Sequence, residues 1–166
     1  VAFELLNEII EPEDAEAWNQ IALHAIAEIR VFAPESWIIF GGVMYNNVLS
    51  VPMLAEVNDP KVAYTFHSYE PLIFTHQGAY WVDGMPSDLR IAYPNTIENY
   101  RESSKMLSQE LAGAIFEGDL PEVGPAFFEA LFQPALKIAE ERDIPLYCGE
   151  YGVIDLADNV SKINWA

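Results

Sequence analysis

The stretch IPLYCGE, residues 144–150, decides the fold of this chain. It is an apolar run without an alternating polar face, and it ends in a carboxylate at Glu150. A short run of this kind is typical of a strand that is buried on both faces, as strands of parallel sheets are. A glutamate at the end of such a strand either meets water or belongs to a site. Choosing between these interpretations requires a partner carboxylate elsewhere in the chain.

Three further apolar runs precede this one and predict three more strands: VAFELL (1–6), SWIIFGG (36–42) and KVAYTFHSY (61–69). Segments with apolar residues at helical spacing lie between and after the runs: 11–30, 95–116, 125–143 and 157–166. Strands that alternate with helices favour a parallel sheet covered by helices. The sequence therefore predicts an α/β fold, and we expect one domain over residues 1–166.

Local signals refine the helix predictions. The first helix carries an apolar stripe made of Trp18, Ile21, Ala22, Ala25 and Ile29. In the second helix, Asn95 and Glu98 resemble a capping box, and a stripe continues through Leu107, Leu111 and Ala114. Pro134 predicts a kink or a restart in the third helix, because proline removes a backbone donor.

The composition limits the classes of partner. The chain has 166 residues, is 51% hydrophobic, and carries 26 acidic against 8 basic residues, a net charge of -18. This balance argues against binding to nucleic acids or anionic membranes, which require Lys and Arg, and it suits a neutral partner such as a carbohydrate. The single cysteine, Cys148, lies in an apolar run, and we expect it to be a small core residue.

Polar side chains follow the predicted strands at their carboxyl ends. Asn7 and Glu8 follow the first strand, His67 and Tyr69 lie at the end of the third, and Glu150 ends the fourth. In parallel α/β folds the ligand site lies beyond these ends, so the side chains are expected to converge. Two carboxylates that flank a cleft are what cleavage of a glycosidic bond requires.

A long connection, residues 70–94, follows the third strand and is rich in aromatic residues. Connections of this length are uncommon unless they have a function. Its Tyr80 and Trp81 are candidates for stacking on sugar rings. The alternative is that both side chains anchor the loop to the core.

The motifs FELLNEI, FHSYEPLIFTHQGAYW and YCGEYG together resemble glycoside hydrolase family 5, in particular its bacterial cellulase-like members. The resemblance implies a (β/α)8 TIM barrel and a retaining double displacement on β-1,4-glucans. It implies that Glu8 is the general acid/base and that Glu150 is the nucleophile, with carboxyl groups about 5–5.5 Å apart. It further implies that Asn7 binds the sugar 2-hydroxyl, that His67 lines the same subsite, and that Tyr69 hydrogen-bonds Glu150.

The chain departs from the family pattern in extent. Eight-stranded barrels need about 250 residues, and this chain supplies the equivalents of strands four to seven only. SWIIFGG corresponds to strand five, with Tyr45 and Asn46 in the loop that follows. The family's arginine on strand two, its histidine near strand three and its tryptophan after strand eight have no counterpart. We therefore expect a half-barrel fragment.

Two functions remain open for such a fragment. The first is a retaining glycoside hydrolase, of the endoglucanase or β-glucosidase type, with activity impaired by the truncation. The second is an inactive truncated barrel that at most binds glucans. We expect a homo-oligomer that completes the half barrel, and the family implies a secreted protein. No cofactor or metal is expected, because phosphate loops, dinucleotide fingerprints and zinc-ligand spacings are missing from the sequence.

Overall fold

A computed structural model describes residues 1–107 and 120–166. Its strands are β1 (Ala2–Glu4), β2 (Trp37–Gly41), β3 (Val62–Ser68) and β4 (Leu146–Tyr151). Its α-helices are α1 (Ala15–Phe32), α2 (Leu72–Thr75), α3 (Ile97–Ser104), α4 (Pro125–Glu141) and α5 (Asn159–Trp165). Short 3-10 helices cover Pro12–Asp14 and Val48–Met53.

The four strands form one sheet in the order β1-β2-β3-β4. β1 pairs with β2 and β2 pairs with β3, both in parallel, and Gly41 lies opposite Thr65 in the second pair. β4 joins the other side of β3, where Tyr64 N donates to Pro145 O at 2.9 Å. A parallel sheet whose strand order follows the chain order confirms the predicted fold class, half of a (β/α)8 barrel.

The burial of each strand follows from its position in the sheet. All seven residues of β3 are buried, as expected for an apolar strand with a neighbour on each side. β1 is exposed along its whole length and has one neighbour. It ends at Glu4 rather than at residue 6, although Leu5 N still donates to Ile39 O at 3.2 Å. The prediction for β1 was therefore too long, because an edge strand loses its pairing early.

Helix α1 is fixed to the sheet through Trp18, whose indole nitrogen donates to Gly41 O at 2.7 Å. Its buried apolar stripe consists of Trp18, Ala22 and Ile26. The inclusion of Ile21 in this stripe was wrong, since that side chain is 61% exposed. At about 100° per residue, Ile21 is displaced from Trp18 in the direction away from Ala22 and Ile26.

The contacts within the chain define two compact units. The first comprises residues 1–68 and 132–150 and holds the sheet apart from the last residue of β4. The second comprises residues 69–131 and 151–166 and holds α2, α3 and α5. That residues 1–166 form a single domain stays a prediction.

Two helix predictions in the second half of the chain need correction. α3 begins at Ile97, and its cap is Thr96, whose hydroxyl accepts from Asn99 N at 3.2 Å, not an Asn95–Glu98 box. Asn95 Oδ1 accepts from Thr96 N instead. Helix α4 runs as one element through Pro134, so the predicted restart was wrong, whereas the predicted kink stays a prediction. The predicted stripe residues Leu111 and Ala114 lie outside the described residues.

Candidate active site

His67 lies at the centre of the predicted site, near the end of the buried central strand β3. Its side chain is 2% exposed, and Nδ1 lies 2.7 Å from Glu8 Oε1 and 3.6 Å from Glu150 Oε2. One buried imidazole thus contacts both glutamates that the sequence singled out. The first structural unit contains all three residues.

Glu8 reaches this position through a loop contact rather than from a strand end. β1 ends at Glu4, so Glu8 follows the strand at a greater distance than the predicted bounds of 1–6 implied. The segment after β1 is held by the loop after β2, where Tyr45 N donates to Ile9 O at 3.0 Å and Met44 N donates to Ile10 O at 3.2 Å. The Glu8 side chain is 30% exposed, so the carboxylate is open to solvent on one side.

The loop after β2 has an unusual backbone. Met44, Tyr45 and Asn46 have φ values of 57°, 58° and 56°, in the left-handed region. Each such residue costs roughly 1–3 kcal/mol and persists only where its surroundings fix it. Here Asn46 O accepts from His67 N at 2.7 Å and Asn46 Oδ1 accepts from Gly42 N at 2.8 Å. The strained loop therefore holds the segment of Glu8 and the backbone of His67 together.

Asn46 is a site-supporting residue that sequence reasoning placed in this loop without a role. It is completely buried. The signal was the pair Asn46-Asn47 after two glycines, because asparagine adopts the left-handed region more readily than most residues. Three successive left-handed residues could not have been inferred from the sequence.

Glu150 lies on β4, and its side chain is 43% exposed. The preceding residue is Gly149, where an added Cβ would lie 2.8 Å from Thr65 Oγ1 and 3.7 Å from His67 Cδ2. Glycine therefore allows β4 to lie close to β3 directly beside Glu150. Cys148, expected in the core, is only half-buried, because β4 has β3 on one side and, among residues 1–107 and 120–166, no strand on the other.

The geometry gives the three side chains a shared chemistry. One donor atom from each of Glu8, His67 and Glu150 lies within 4.8 Å of the other two. Two carboxylates at this separation are able to act on opposite sides of one bond, with the imidazole fixing their spacing. The same side chains also form a mixed nitrogen and oxygen donor set.

The remaining predicted site residues divide between the two units. Asn7 is exposed in the first unit. Tyr69, Tyr80 and Trp81 belong to the second, where the Tyr69 ring meets His76 edge-on at 5.0 Å between centroids, and Trp81 lies 6.4 Å from His76. Burial lowers the pKa of His76, which favours its neutral form within this aromatic group.

Tyr80 and Trp81 contact each other edge-to-face, with their centroids 4.9 Å apart. Tyr80 is 92% exposed and Trp81 59% exposed. A tyrosine exposed to this extent contributes little to anchoring a loop. Their functions as substrate-binding residues, like the functions of Asn7 and Tyr69, stay predictions.

Comparison with known proteins gives this geometry a context. A family model described as "Cellulase (glycosyl hydrolase family 5)" matches residues 1–165. Endoglucanase C of Acetivibrio thermocellus is 34% identical over 166 residues, which are 99% of this chain and 48% of the relative. Cellodextrinase A of Ruminococcus flavefaciens is 34% identical over 165 residues, 99% of this chain and 42% of the relative.

A solved structure is similar over the same extent. A crystal structure of a hyperthermophilic endo-β-1,4-glucanase in complex with substrate is similar to this chain, with 25% sequence identity and a TM-score of 0.71. The match covers 98% of this chain and 44% of the glucanase chain. The chain thus spans about half the length of the curated relatives it matches. No helix among the described residues is long and apolar enough to cross a bilayer.

Proposed function

Because the chain belongs to the cellulase family, glycosyl hydrolase family 5, we propose that it hydrolyses β-1,4-glucosidic bonds with retention of configuration. Glu150 attacks the anomeric carbon while Glu8 protonates the leaving oxygen. Glu8 then takes a proton from the water that releases the sugar from Glu150. Both steps need the carboxylates on opposite faces of the scissile bond.

The spacing of the two carboxylates is the observation that carries this proposal. One carboxylate oxygen of Glu8 and one of Glu150 lie within 4.8 Å of each other, which is the closest approach of the two groups rather than the distance between their centres. Retaining enzymes hold the groups about 5–5.5 Å apart, whereas inverting enzymes need about 6.5–9.5 Å to admit a water molecule. The short separation favours direct attack by a carboxylate.

His67 acts as a positioning residue in this proposal. Its Nδ1 lies within reach of both carboxylates, and its ring is buried on the central strand. Buried side chains on strands hold their geometry more firmly than loop residues do. His67 therefore sets the distance between the acid/base and the nucleophile, and it lines the subsite of the reacting sugar together with Asn7.

The names of the relatives favour glucan substrates. Endoglucanase C and cellodextrinase A are named for action on glucans and on cellodextrins. For this chain we propose cello-oligosaccharides and soluble β-1,4-glucans. In the second unit, Tyr80 and Trp81 supply exposed aromatic faces that suit stacking on sugar rings. Because such polymers are found outside cells, we also propose that the protein is secreted.

A second candidate function is binding of glucans without cleavage, and the chain spans 48% of endoglucanase C. The exposed pair Tyr80 and Trp81 offers aromatic faces for stacking on sugar rings, and stacking does not require the two carboxylates. We propose that two copies associate through the exposed edge strand β1 and thereby cover the free backbone groups of the sheet.

The release of reducing sugar from carboxymethyl cellulose, measured for the wild type, Glu8→Gln and Glu150→Gln, tests the hydrolase proposal. Both substitutions keep the side-chain shape and remove the ionisable group. We expect at least a thousandfold loss in each and no change in Glu13→Gln, which replaces an exposed glutamate in the turn before α1. A folded wild type without activity would leave the glucan-binding alternative.

Light scattering at micromolar concentration tests the association separately. We expect a dimer for the wild type and a monomer for Phe3→Lys, which places a charge on the exposed edge strand. A wild-type monomer would overturn the association through β1.

A further inference from the structure

We propose that Glu8, His67 and Glu150 form a binding site for a divalent transition-metal ion, represented by Zn²⁺, which competes with the sugar. The competition rests on the proposed hydrolase function, whereas the binding itself does not. The site uses the same side chains for a second ligand of different chemistry.

The donor atoms fit a zinc ion in type, and side-chain rotations would bring their spacing to that of a zinc site. Zn²⁺ accepts imidazole nitrogen and carboxylate oxygen at about 2.0–2.2 Å, so its tetrahedral donors lie about 3.3 Å apart. Nδ1 of His67 lies 3.6 Å from Glu150 Oε2, and all three donors fall within 4.8 Å. The 2.7 Å contact between Nδ1 and Glu8 Oε1 must open slightly, which the half-exposed Glu8 carboxylate permits by rotation. Open coordination positions would be filled by water.

The charge around the site favours a cation. The two glutamates bring two carboxylates, and both form ion pairs with His67. Arg30 and Lys61 form ion pairs with other carboxylates, those of Asp59 and Glu35. The chain as a whole carries a charge of -18, which raises the local concentration of cations.

The far side of the imidazole is also suited to metal binding. A metal ion on Nδ1 requires the neutral ring with its proton on Nε2. His67 Nε2 is buried without a hydrogen-bond partner among the described residues, and so is Thr65 Oγ1 on the same face of β3. Both side chains border Gly149, where an added Cβ would contact Thr65 Oγ1 and His67 Cδ2. The two atoms are not hydrogen-bonded to each other in the structure, and a shift of Thr65 toward the ring would be needed for its hydroxyl oxygen to accept a proton on Nε2.

The test is isothermal titration of the untagged chain with ZnCl₂ in the absence of sugar. We expect about one strong site per chain, and at least tenfold weaker binding in the Glu8→Gln, Glu150→Gln double variant, since even the loss of outer-shell partners costs about 10–100-fold. Glu13→Gln should bind Zn²⁺ as the wild type does. Ca²⁺, which prefers all-oxygen ligands, should not occupy this site.

A second measurement does not depend on any variant. In ¹⁵N-histidine-labelled wild type, which has three histidines, one equivalent of Zn²⁺ should shift the ring signals of His67 and leave those of His24 and His76 in place. Equal zinc binding by the wild type and the folded double variant, or unchanged His67 signals, would overturn the proposal. Because no substrate is involved, an inactive enzyme that binds zinc would overturn the hydrolase proposal alone.

Discussion

His67 Nδ1 lies 2.7 Å from Glu8 Oε1, although 59 residues separate these two side chains in the sequence. The contact joins the segment after the edge strand to the buried centre of the sheet. The same ring nitrogen lies 3.6 Å from Glu150 Oε2. The geometry of the two carboxylates therefore depends on the packing around one imidazole and on how closely β4 lies against β3.

Gly149→Ala tests the dependence on strand packing. The new Cβ would lie 2.8 Å from Thr65 Oγ1, so a side chain or β4 itself must shift. We expect a loss of about 1–3 kcal/mol in the free energy of unfolding, measured by urea denaturation, and a larger relative loss of hydrolysis. Gly152→Ala is the matched control, because nothing lies within 4 Å of its added Cβ. Equal behaviour of the two variants would argue against a tight β3–β4 contact.

Trp81→Ala tests the exposed aromatic pair. Loss of the indole face should weaken binding of cellotetraose about five- to tenfold, or roughly 1–1.4 kcal/mol, and should leave small aryl glucosides nearly unaffected. Phe32→Ala, which removes an exposed aromatic side chain at the end of α1, serves as the control. Isothermal titration calorimetry measures the cellotetraose affinity of both variants. If Phe32→Ala weakened binding as much as Trp81→Ala, the loop would not be a specific sugar platform.

The pH dependence of stability reports on the ion pair that fixes α1. Arg30 Nε lies 2.6 Å from Asp59 Oδ2, and this hydrogen bond holds the pKa of Asp59 below its usual 3.8. A carboxyl group whose pKa is lower in the folded than in the unfolded state contributes its full stabilisation of the fold above the unfolded pKa, about 4. This stabilisation is lost as the pH falls through the pKa of the folded state. Asp59→Asn should therefore cost roughly 2 kcal/mol in the free energy of unfolding at pH 6, which lowers Tm by about 4–8 °C. At pH 2.5 the same substitution should lower Tm by much less.

Asp155→Asn is the reference for this comparison, since its exposed carboxylate lies 3.9 Å from Lys162. It should leave Tm nearly unchanged at both pH values. A Tm difference between wild type and Asp59→Asn that stayed constant from pH 6 to 2.5 would contradict the assignment.

Several parts of the fold were predictable because they are local. β3 carries Val62, Ala63, Tyr64 and Phe66, and the sequence bounds of 61–69 differ from Val62–Ser68 by one residue at each end. Helix α1 was predicted from the helical spacing of apolar residues between positions 11 and 30. The exposed Ile21 and the early end of β1 were not predictable, because both depend on which neighbours the elements find in the folded chain.

The convergence of Glu8, His67 and Glu150 was expected from the predicted strand ends and from the resemblance, and the structure brings these side chains together. Their functions stay predictions, and the backbone features that support them were not predicted. The left-handed backbone at Asn46 and the close approach at Gly149 depend on contacts between distant segments. Spacing along the sequence carries no information about such contacts. The contribution of Tyr69 to the site stays a prediction.

Covalent trapping tests the central claim most directly. A 2-deoxy-2-fluoro cellobioside with a dinitrophenolate leaving group forms a long-lived glycosyl-enzyme. Its leaving group departs with little need for protonation by the general acid. We predict a mass increase of one fluorocellobiosyl unit per chain, located on Glu150 by peptide mass spectrometry, present in Glu8→Gln and absent in Glu150→Gln. A label on Glu8, or no label on a folded wild type under conditions that label an active family member, would contradict the assignment of Glu150 as the nucleophile.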